Sequence, residues 1–179
     1  QVEFLDAPPW DSELDLTNHT AEVELFELST GASRVGVSTT ATVVSVREDS
    51  GFIQRCTECR RVLRDGACAE HGPNDGNTDS RLRLAIDDGR SSVSLLTNKE
   101  ATLSLLGMTE TELQDTVNDL GQVAFVQSLR AKMLGKTINA SGRTIVDEQG
   151  AMMLADHAAM VDEDAGLRAT EIRAQWKVV

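Results

Sequence analysis

Residues 56–71, CTECRRVLRDGACAEH, restrict the fold of this chain more than any other stretch. They contain all three cysteines of the chain, which form two close pairs with the nearby histidine, Cys56/Cys59 and Cys68/His71. Two residues between ligands let one tight turn direct both side chains to a single point, and Zn²⁺ takes four Cys and His ligands tetrahedrally. The spacing therefore predicts one structural zinc ion held by Cys56, Cys59, Cys68 and His71.

The eight residues between the two pairs favour a hairpin. They include Asp65-Gly66, a dipeptide typical of two-residue hairpin turns, which would fold one ligand pair back onto the other. This is the shape of a zinc ribbon, predicted over 52–72. The alternatives are free buried cysteines or a redox CxxC, but a redox motif would need an adjacent βαβ pattern and would leave Cys68 and His71 unexplained. With all four metal positions filled by protein, the site has no place for a catalytic water, so we expect no enzymatic activity.

Strand signals lie on both sides of the ribbon. Residues 34–46, RVGVSTTATVVSV, are rich in β-branched side chains, and SRLRLAI at 80–86 alternates polar and apolar residues. The turn signal DDGR then leads into a partner strand at 91–96. Two further strands are predicted at 136–146 and 151–161, whereas AEVELFEL at 21–28 could form a short strand or a helical turn.

Helical spacing separates the third strand from the fourth. Asn98 can cap a helix over 99–106 that ends at Gly107, and Thr109 with Glu112 forms a capping box for a second helix. A third helix, 123–134, places Val123, Val126, Leu129 and Met133 at helical intervals and ends at Gly135. Five strands with helices between the third and fourth are the order of a five-stranded OB-fold barrel, although short strands and frequent turns also fit other small barrels.

The domain organisation follows from these elements. We expect an acidic lead-in or linker with a possible short strand at 1–33, an OB-fold domain at 34–161 that includes the zinc ribbon 52–72, and a C-terminal helix at 162–179. That helix has an apolar stripe, Ala165, Ala169, Ile172, Trp176 and Val179, and is a possible oligomerisation element.

Charge is concentrated in the tails. The net charge is −12, and residues 1–30 contain eight acidic residues and no Lys or Arg, while 31–146 are neutral overall with locally basic stretches around the cysteines and over 122–146. Acidic excess alone argues against a polyanionic partner, but this distribution leaves basic surfaces in the middle of the chain. The excess of acid, with Arg in place of Lys, favours a salt-rich cytoplasm, although a GC-rich genome would produce part of the same bias. An odd number of cysteines argues against a disulfide framework and favours a reducing, intracellular setting.

Three segments together resemble a known family. They are a strand followed by SGFIQRCTECRRVLRDGACAEHG, then DSRLRLAIDDG, and later LGKTINASGRTIVDEQGAMMLADHAAMV. Together they are similar to the zinc-containing OB-fold domain of archaeal replication protein A-type single-stranded DNA-binding proteins. The resemblance covers roughly residues 35–175. It implies a zinc ribbon between the first and second barrel strands, and non-sequence-specific binding of single-stranded DNA in replication, recombination and repair. It further implies a cytoplasmic, nucleoid-associated protein that contacts other subunits, or a second copy of itself, through the C-terminal helix.

Single-stranded DNA binding combines a basic groove along the phosphates with flat side chains against the bases. Arginines around the ribbon and on the second barrel strand, and two basic residues of the fourth strand, are the candidates for phosphate contact. Aromatic residues make up only 3% of the chain, and Phe52 is the one nearest the ribbon. The candidate contacts are Phe52, Arg55, Arg60, Arg61, Arg81, Arg83, Lys136 and Arg143. The alternative for the arginines is a salt-bridged surface, because Glu58, Asp79 and Asp87 are close in sequence.

A second function is compatible with the same sequence. The barrel and terminal helix could serve subunit assembly or protein interaction within a larger DNA-binding complex, with DNA held mainly by other domains. Binding of labelled oligo(dT) by the isolated domain separates the two.

Overall fold

The structure, a computed structural model, describes residues 20–148 and 150–161 together with Thr170, Arg173 and Ala174. The described residues are mainly β. In chain order the elements are β1 (Ala21–Glu22), α1 (Leu25–Thr30), β2 (Val35–Val46), β3 (Gly51–Arg55), β4 (Ala67–Cys68), β5 (Gly72–Pro73), β6 (Asn77–Arg81), β7 (Arg83–Asp87), β8 (Ser92–Thr97), α2 (Lys99–Leu106), α3 (Glu110–Leu120), α4 (Gln122–Met133), β9 (Thr137–Asp147) and β10 (Gly150–Met160).

Five of these strands close into a barrel. The order around it is β2, β7, β8, β10, β9 and back to β2, with every pair antiparallel except β8 and β10, which run parallel. Closure pairs the backbone of every barrel strand on both sides, so that the barrel has no free sheet edge. The five-stranded OB-fold barrel predicted from the sequence is therefore confirmed, with the cysteine-rich segment inserted between its first and second strands.

Every second side chain along the barrel strands points inward, and these side chains form the core. In β2 the buried positions are every second residue from Val37 to Val43, and the residues between them are more exposed. Gly142 lies where β9 comes close to β10 at a shift of register, and a Cβ there would be 2.1 Å from the carbonyl oxygen of Leu154. The inward-facing residues of the barrel include Val37, Val43, Leu84, Ile86, Leu95, Ile138 and Met153.

The strand predicted at 80–86 is two strands in the structure. Residues 77–81 belong to β6, which leaves the barrel and pairs with β3, whereas β7 starts at Arg83. Leu82, between them, is fully buried; its N–H donates to Thr97 Oγ1 over 2.8 Å, and its carbonyl accepts from the Thr97 N–H. This anchor at the end of β8 lets the chain change sheets without losing backbone hydrogen bonds.

The three helices between β8 and β9 form where the sequence predicts, with α4 starting and ending one residue before the predicted 123–134. Asn98 caps α2, which ends at Gly107 in the left-handed conformation, and the capping box of Thr109 and Glu112 opens α3. In α4 the buried residues are Phe125, Val126, Leu129 and Met133, which pack in the barrel core. Val123 was expected on that apolar stripe and is exposed, because Phe125 takes the inward position in the first turn.

The segment at 21–28 forms both a strand and a helix. β1 pairs in parallel with the start of β2, and the following helix α1 contributes Leu25 and Leu28, both fully buried, to the barrel core. Residues before position 34 therefore contribute to the barrel core. The domain boundaries given above, 1–33, 34–161 and 162–179, stay predictions. The lead-in residues before 20 lie outside the described part of the chain, as does the helix predicted over 162–179 except for Thr170, Arg173 and Ala174.

Among the described residues, no helix is both long and apolar enough to cross a membrane.

Candidate metal centre and nucleic-acid interface

A two-stranded ladder carries the cysteine-rich segment away from the barrel. β3 and β6 pair from Gly51↔Arg81 to Arg55↔Asn77, and Cys56 follows directly at the end of β3. At the base of this ladder, the Gln122 side chain of α4 donates a 2.6 Å hydrogen bond to the carbonyl of Ser50. The first ligand is therefore fixed by regular backbone pairing, and the ladder is fixed to the helix that closes the barrel.

The hairpin predicted at Asp65-Gly66 is present. Arg64 and Ala67 exchange two backbone hydrogen bonds of 3.0 Å, and the two residues between them have φ values of 51° and 75°. Positive φ at both central positions is the geometry of a type I′ turn, which favours Gly at the second position. This turn brings the Cys68/His71 pair back towards Cys56 and Cys59.

The four predicted ligands meet at one point. Their donor atoms all lie within 4.8 Å of one another, with Sγ of Cys56 and Nδ1 of His71 3.5 Å apart and the sulfurs of Cys59 and Cys68 also 3.5 Å apart. Tetrahedral zinc with Zn–S bonds near 2.3 Å places its sulfur ligands on the order of 3.8 Å from one another. These residues therefore fit a zinc ion, and together they could hold one metal.

Backbone donors prepare two of these thiols for a cation. The pKa of Cys68 is lowered to about 6, chiefly because the N–H groups of Glu70 and His71 point at its sulfur. The pKa of Cys56 is lowered in the same way by the Cys59 N–H, which outweighs the opposing effect of burial. Because metals bind the thiolate form, a turn that presents N–H groups to the first sulfur of each pair favours metal binding.

The histidine is oriented from its far side. Nδ1 of His71 faces the sulfurs, while Nε2 lies 3.7 Å from Oε2 of Glu58. The pKa of His71 is raised, first by its hydrogen bonds to the sulfurs of Cys68 and Cys56 and then by the charge of Glu58. A carboxylate behind a ligating imidazole is a common second partner in metal sites, and here it would leave Nδ1 free to bind a metal.

Two predicted contact arginines on the ribbon have acidic partners. Arg55 forms an ion pair with Asp79, one of the acids expected from the sequence, and Arg61 forms one with Glu70. Arg60 has no ion pair within the described residues, and its carbonyl accepts a hydrogen bond from Arg55. Phe52 is half-buried and packs against the barrel core, which leaves less of its ring for a base.

The two arginines beside Leu82, which were expected on one face of a single strand, lie on different strands but share one acidic partner. Nη2 of Arg81 lies 2.6 Å from Oδ2 of Asp49, and Nη1 of Arg83 lies 3.4 Å from the same oxygen. Asp49 is in the loop after β2, so this pairing joins the two sides of the ribbon's base. The sequence gives no signal for it, because Asp49 is more than thirty positions from both arginines.

The other two basic candidates are exposed and lack ion pairs within the described residues. Arg143, in β9, pairs with Leu154 of β10. Lys136 immediately precedes β9 and lies seven positions from Arg143, roughly 23 Å along an extended strand. The structure therefore places Arg143 near the middle of the β9–β10 hairpin and Lys136 at the end of the hairpin away from its turn.

Strand register places two rows of side chains on the outside of the barrel. Since directly paired residues project to the same face of a sheet, the pairings across β7, β8, β10 and β9 define each row. One row is Arg83, Leu96, Leu154 and Arg143, and the other is Ala85, Ser94, Met152 and Ile145. We call these two rows the outer face; its first row has an arginine at each end and two leucines between them, and its second row is apolar except for Ser94.

The aliphatic residues of the outer face are missing from the sequence-based candidates. Leu95 and Met153 are buried in the core, whereas their neighbours Leu96 and Leu154 are only partly covered, and Ile145 is 43% exposed. Apolar runs such as SLL and MML do not show which residue points outward. Only the pairing register shows this, and counting alternate positions back from the end of each strand is the one sequence signal that could have found them.

Comparison with known proteins supports the fold. No family model matches the sequence, and no curated protein matches it. Among solved structures, the chain is similar to a replication protein A heterotrimer bound to ssDNA, with 16% identity and a TM-score of 0.53 over 88% of this chain and 39% of that one. It also resembles yeast RPA bound to ssDNA, with 15% identity and a TM-score of 0.47 over 79% of this chain and 85% of that one. A further similar structure is the second OB-fold domain of replication protein A from Methanococcus maripaludis, with 12% identity and a TM-score of 0.45 over 80% of this chain and 98% of that one. The chain thus spans well under half of the heterotrimer chain, and at these identities the likeness concerns the fold, an OB-fold barrel.

Proposed function

We propose that this protein binds single-stranded DNA without sequence specificity and acts in replication, recombination and repair. The observation that carries the proposal is the outer face, which presents Arg83 and Arg143 on either side of an aliphatic strip. It lies on the second and third barrel strands and extends towards the turn between the last two, the surface on which OB folds bind oligonucleotides. The similar solved structures of replication protein A with bound ssDNA agree with this proposal.

Each part of the outer face has a distinct task in this proposal. The guanidinium groups of Arg83 and Arg143 pair with phosphates and can also lie flat against bases. Leu96, Met152 and Leu154 offer apolar surface to the bases in place of the aromatic side chains that such grooves commonly use. Because any base has an apolar face, an aliphatic strip of this kind accepts all four, which fits binding without sequence preference.

The zinc ion in this proposal is structural. Cys56, Cys59, Cys68 and His71 would hold it, and with four protein ligands the ion supplies a cross-link and leaves no position for a reacting water. The proposed role is therefore binding and not catalysis. The ribbon is joined to the outer face through β6, whose last residue, Arg81, shares Asp49 with Arg83.

Subunit assembly is a second candidate role, compatible with the first. Leu120 and Val123, on either side of the junction between α3 and α4, are 49% and 75% exposed, and they bring two large apolar side chains to the surface three positions apart. Contacts with other subunits through the helix predicted at 162–179 remain a proposal.

The other candidate residues for contact with single-stranded DNA also remain proposals: Phe52, Arg55, Arg60, Arg61, Arg81 and Lys136.

Fluorescence anisotropy with labelled oligo(dT), on the zinc-loaded and the chelated protein, tests the proposal. We expect binding by the zinc-loaded protein, weakened by at least tenfold in Leu154→Glu, which places a carboxylate in the middle of the outer face. Phe26→Glu introduces the same charge at a half-exposed apolar position of α1 and should bind like the original protein. A folded, zinc-loaded protein that fails to bind oligo(dT) would refute DNA binding and leave assembly as the proposal.

A further inference from the structure

The arginines of the outer face differ in their surroundings. Arg83 shares the Oδ2 oxygen of Asp49 with Arg81, whose side chain is only 13% exposed. Arg143, at the other end of the same row, is exposed and has no ion pair within the described residues. At one end of the outer face a carboxylate of the protein therefore already compensates one of two guanidinium charges, whereas the charge at the other end is uncompensated.

The same arrangement recurs on the ribbon beside it. Asp79 pairs with Arg55, and Glu70 pairs with Arg61. A carboxylate oxygen held by a guanidinium is close in charge and geometry to a phosphate oxygen in the same place. At the ribbon end of the proposed DNA site, acidic side chains therefore occupy the arginine contacts that the phosphates of single-stranded DNA would make.

This difference has a consequence for the salt dependence of binding. A free arginine that neutralises a phosphate releases the cation condensed on that phosphate, which gives a slope of about 0.7 in log affinity against log salt for a single strand. An arginine that is already paired must first release its carboxylate, and the freed carboxylate then attracts a cation from solution. Uptake of one cation offsets release of the other, so the net slope from such an arginine is close to zero.

We propose that Asp49 acts as a built-in substitute for phosphate, and that single-stranded DNA binds at Arg81 and Arg83 by exchange with this carboxylate. The inference rests on the proposed DNA-binding function and adds to it a mechanism of salt tolerance. The two arginines at the Asp49 end then contribute a slope of about 0.7, that of one phosphate contact instead of two, and the single contact at Arg143 contributes the same.

The experiment measures oligo(dT) affinity of the zinc-loaded protein between 0.1 M and 1 M salt for the original protein, Asp49→Asn and Asp119→Asn. Removing the Asp49 carboxylate should steepen the slope by about 0.7, so that the variant binds about fivefold tighter than the original protein at 0.1 M salt and equally at 1 M. Asp119, exposed on α3 with no ion pair among the described residues, gives the same change in net charge without freeing an arginine. Its replacement should leave the slope unchanged.

Two arginine variants give an independent test that does not depend on the stability of Asp49→Asn. Arg143→Gln should lower the slope by about 0.7, and the double variant Arg81→Gln/Arg83→Gln should also lower it by only about 0.7, because the two lost phosphate contacts are partly offset by the exchange with one carboxylate that is lost with them. A loss of about 1.4 in the double variant would overturn the exchange, as would weaker binding by Asp49→Asn at every salt concentration, which would make Asp49 a positioning residue. If the original protein does not bind oligo(dT) at all, the proposed function fails first; binding with an unchanged slope in Asp49→Asn refutes the exchange alone.

Discussion

The barrel contains a continuous aliphatic core that extends from α1 through five strands to α4, whereas the buried cluster of the ribbon consists of Cys56, Leu63 and Cys68, with Cys59 packed against it. Burial of apolar surface can stabilise the first region on its own. The second has almost no such surface, so in our proposal its structure depends on a metal ion that joins its two turns. One chain would thus combine a region held by packing with a region held by metal ligands, and the two should respond differently to the same perturbation.

Loss of the metal should produce the largest difference between the regions. We expect Cys68→Ser, or chelation of the original protein, to abolish binding of one equivalent of zinc and to remove amide protection from the ribbon, because structural zinc contributes on the order of 10 kcal/mol to the folding of small sites. The barrel amides of β2 and β8 should stay protected in hydrogen exchange. Arg64→Gln changes the same hairpin without touching a ligand and should retain the zinc; simultaneous loss of protection in barrel and ribbon would contradict the separation.

A core truncation should have the opposite pattern. Leu84→Ala removes a side chain that is 1% exposed, and we expect a loss of about 2–5 kcal/mol in the free energy of unfolding. Denaturant unfolding followed by circular dichroism gives this value, and a zinc indicator in the same titration shows when the ion is released. Leu120→Ala, at a half-exposed position, should cost much less. A large truncation effect on zinc content before unfolding would show that the ribbon depends on the barrel core.

Asp88 contributes a pH-dependent part of the barrel's stability. Burial opposes its ionisation, but N–H groups of Arg90, Ser91 and Leu25 outweigh this effect and lower its pKa below the ordinary 3.8. A carboxyl with a lowered folded-state pKa stabilises the fold fully above its unfolded-state pKa, and this contribution is lost as the pH falls through the folded-state value.

Asp88→Asn should therefore reduce stability at pH 7 by on the order of 1–2 kcal/mol. Thermal denaturation from pH 7 down to pH 3 should show the difference from the original protein narrowing only below about pH 4. Asp87→Asn, one residue earlier at the end of β7, is the matched control. A difference that is constant over the whole range would mean that the charge of Asp88 is not what stabilises α1 against the loop after β7.

The contact between the two regions should have the smallest effect. Gln122 donates to the carbonyl of Ser50 at the base of the ladder, and Gln122→Ala should cost about 1 kcal/mol. We expect the loss in faster hydrogen exchange of β3 and β6 amides with the zinc still bound. Gln114→Ala, at an exposed position of α3, provides the comparison; equal exchange in the two variants would show that Gln122 does not anchor the ribbon.

The sequence predicts the regular parts of this molecule well. The five barrel strands, the helix over 99–106 and the capping box of Thr109 each rest on local signals, such as β-branched runs, Asn and Thr caps and closing glycines, and the structure confirms them. The four candidate metal ligands could be predicted from the sequence equally well, because their spacing within a few residues determines the turns that bring them together.

Features that depend on the register of distant strands were not predictable from the sequence. Whether Leu95 or Leu96 faces the core follows from pairing with β7 and β10, and alternation along the sequence indicates it only if the end of the strand is known to the residue. The partner of Arg81 and Arg83 is Asp49, on the far side of the ribbon, and not the nearby Asp79 or Asp87. The break of the predicted strand at Leu82 likewise follows from a hydrogen bond to Thr97 that forms only in the closed barrel.

The most direct test of the central claim is a map of amide chemical-shift changes when oligo(dT) is added to the zinc-loaded protein. Our account predicts the largest changes in β7, β8 and the β9–β10 hairpin around Arg143 and Leu154, with smaller ones at the base of the ribbon near Asp49. Changes confined to the opposite side of the barrel, around Thr40 and Asn139, or no changes at all, would contradict the assignment of the outer face as the DNA-binding surface.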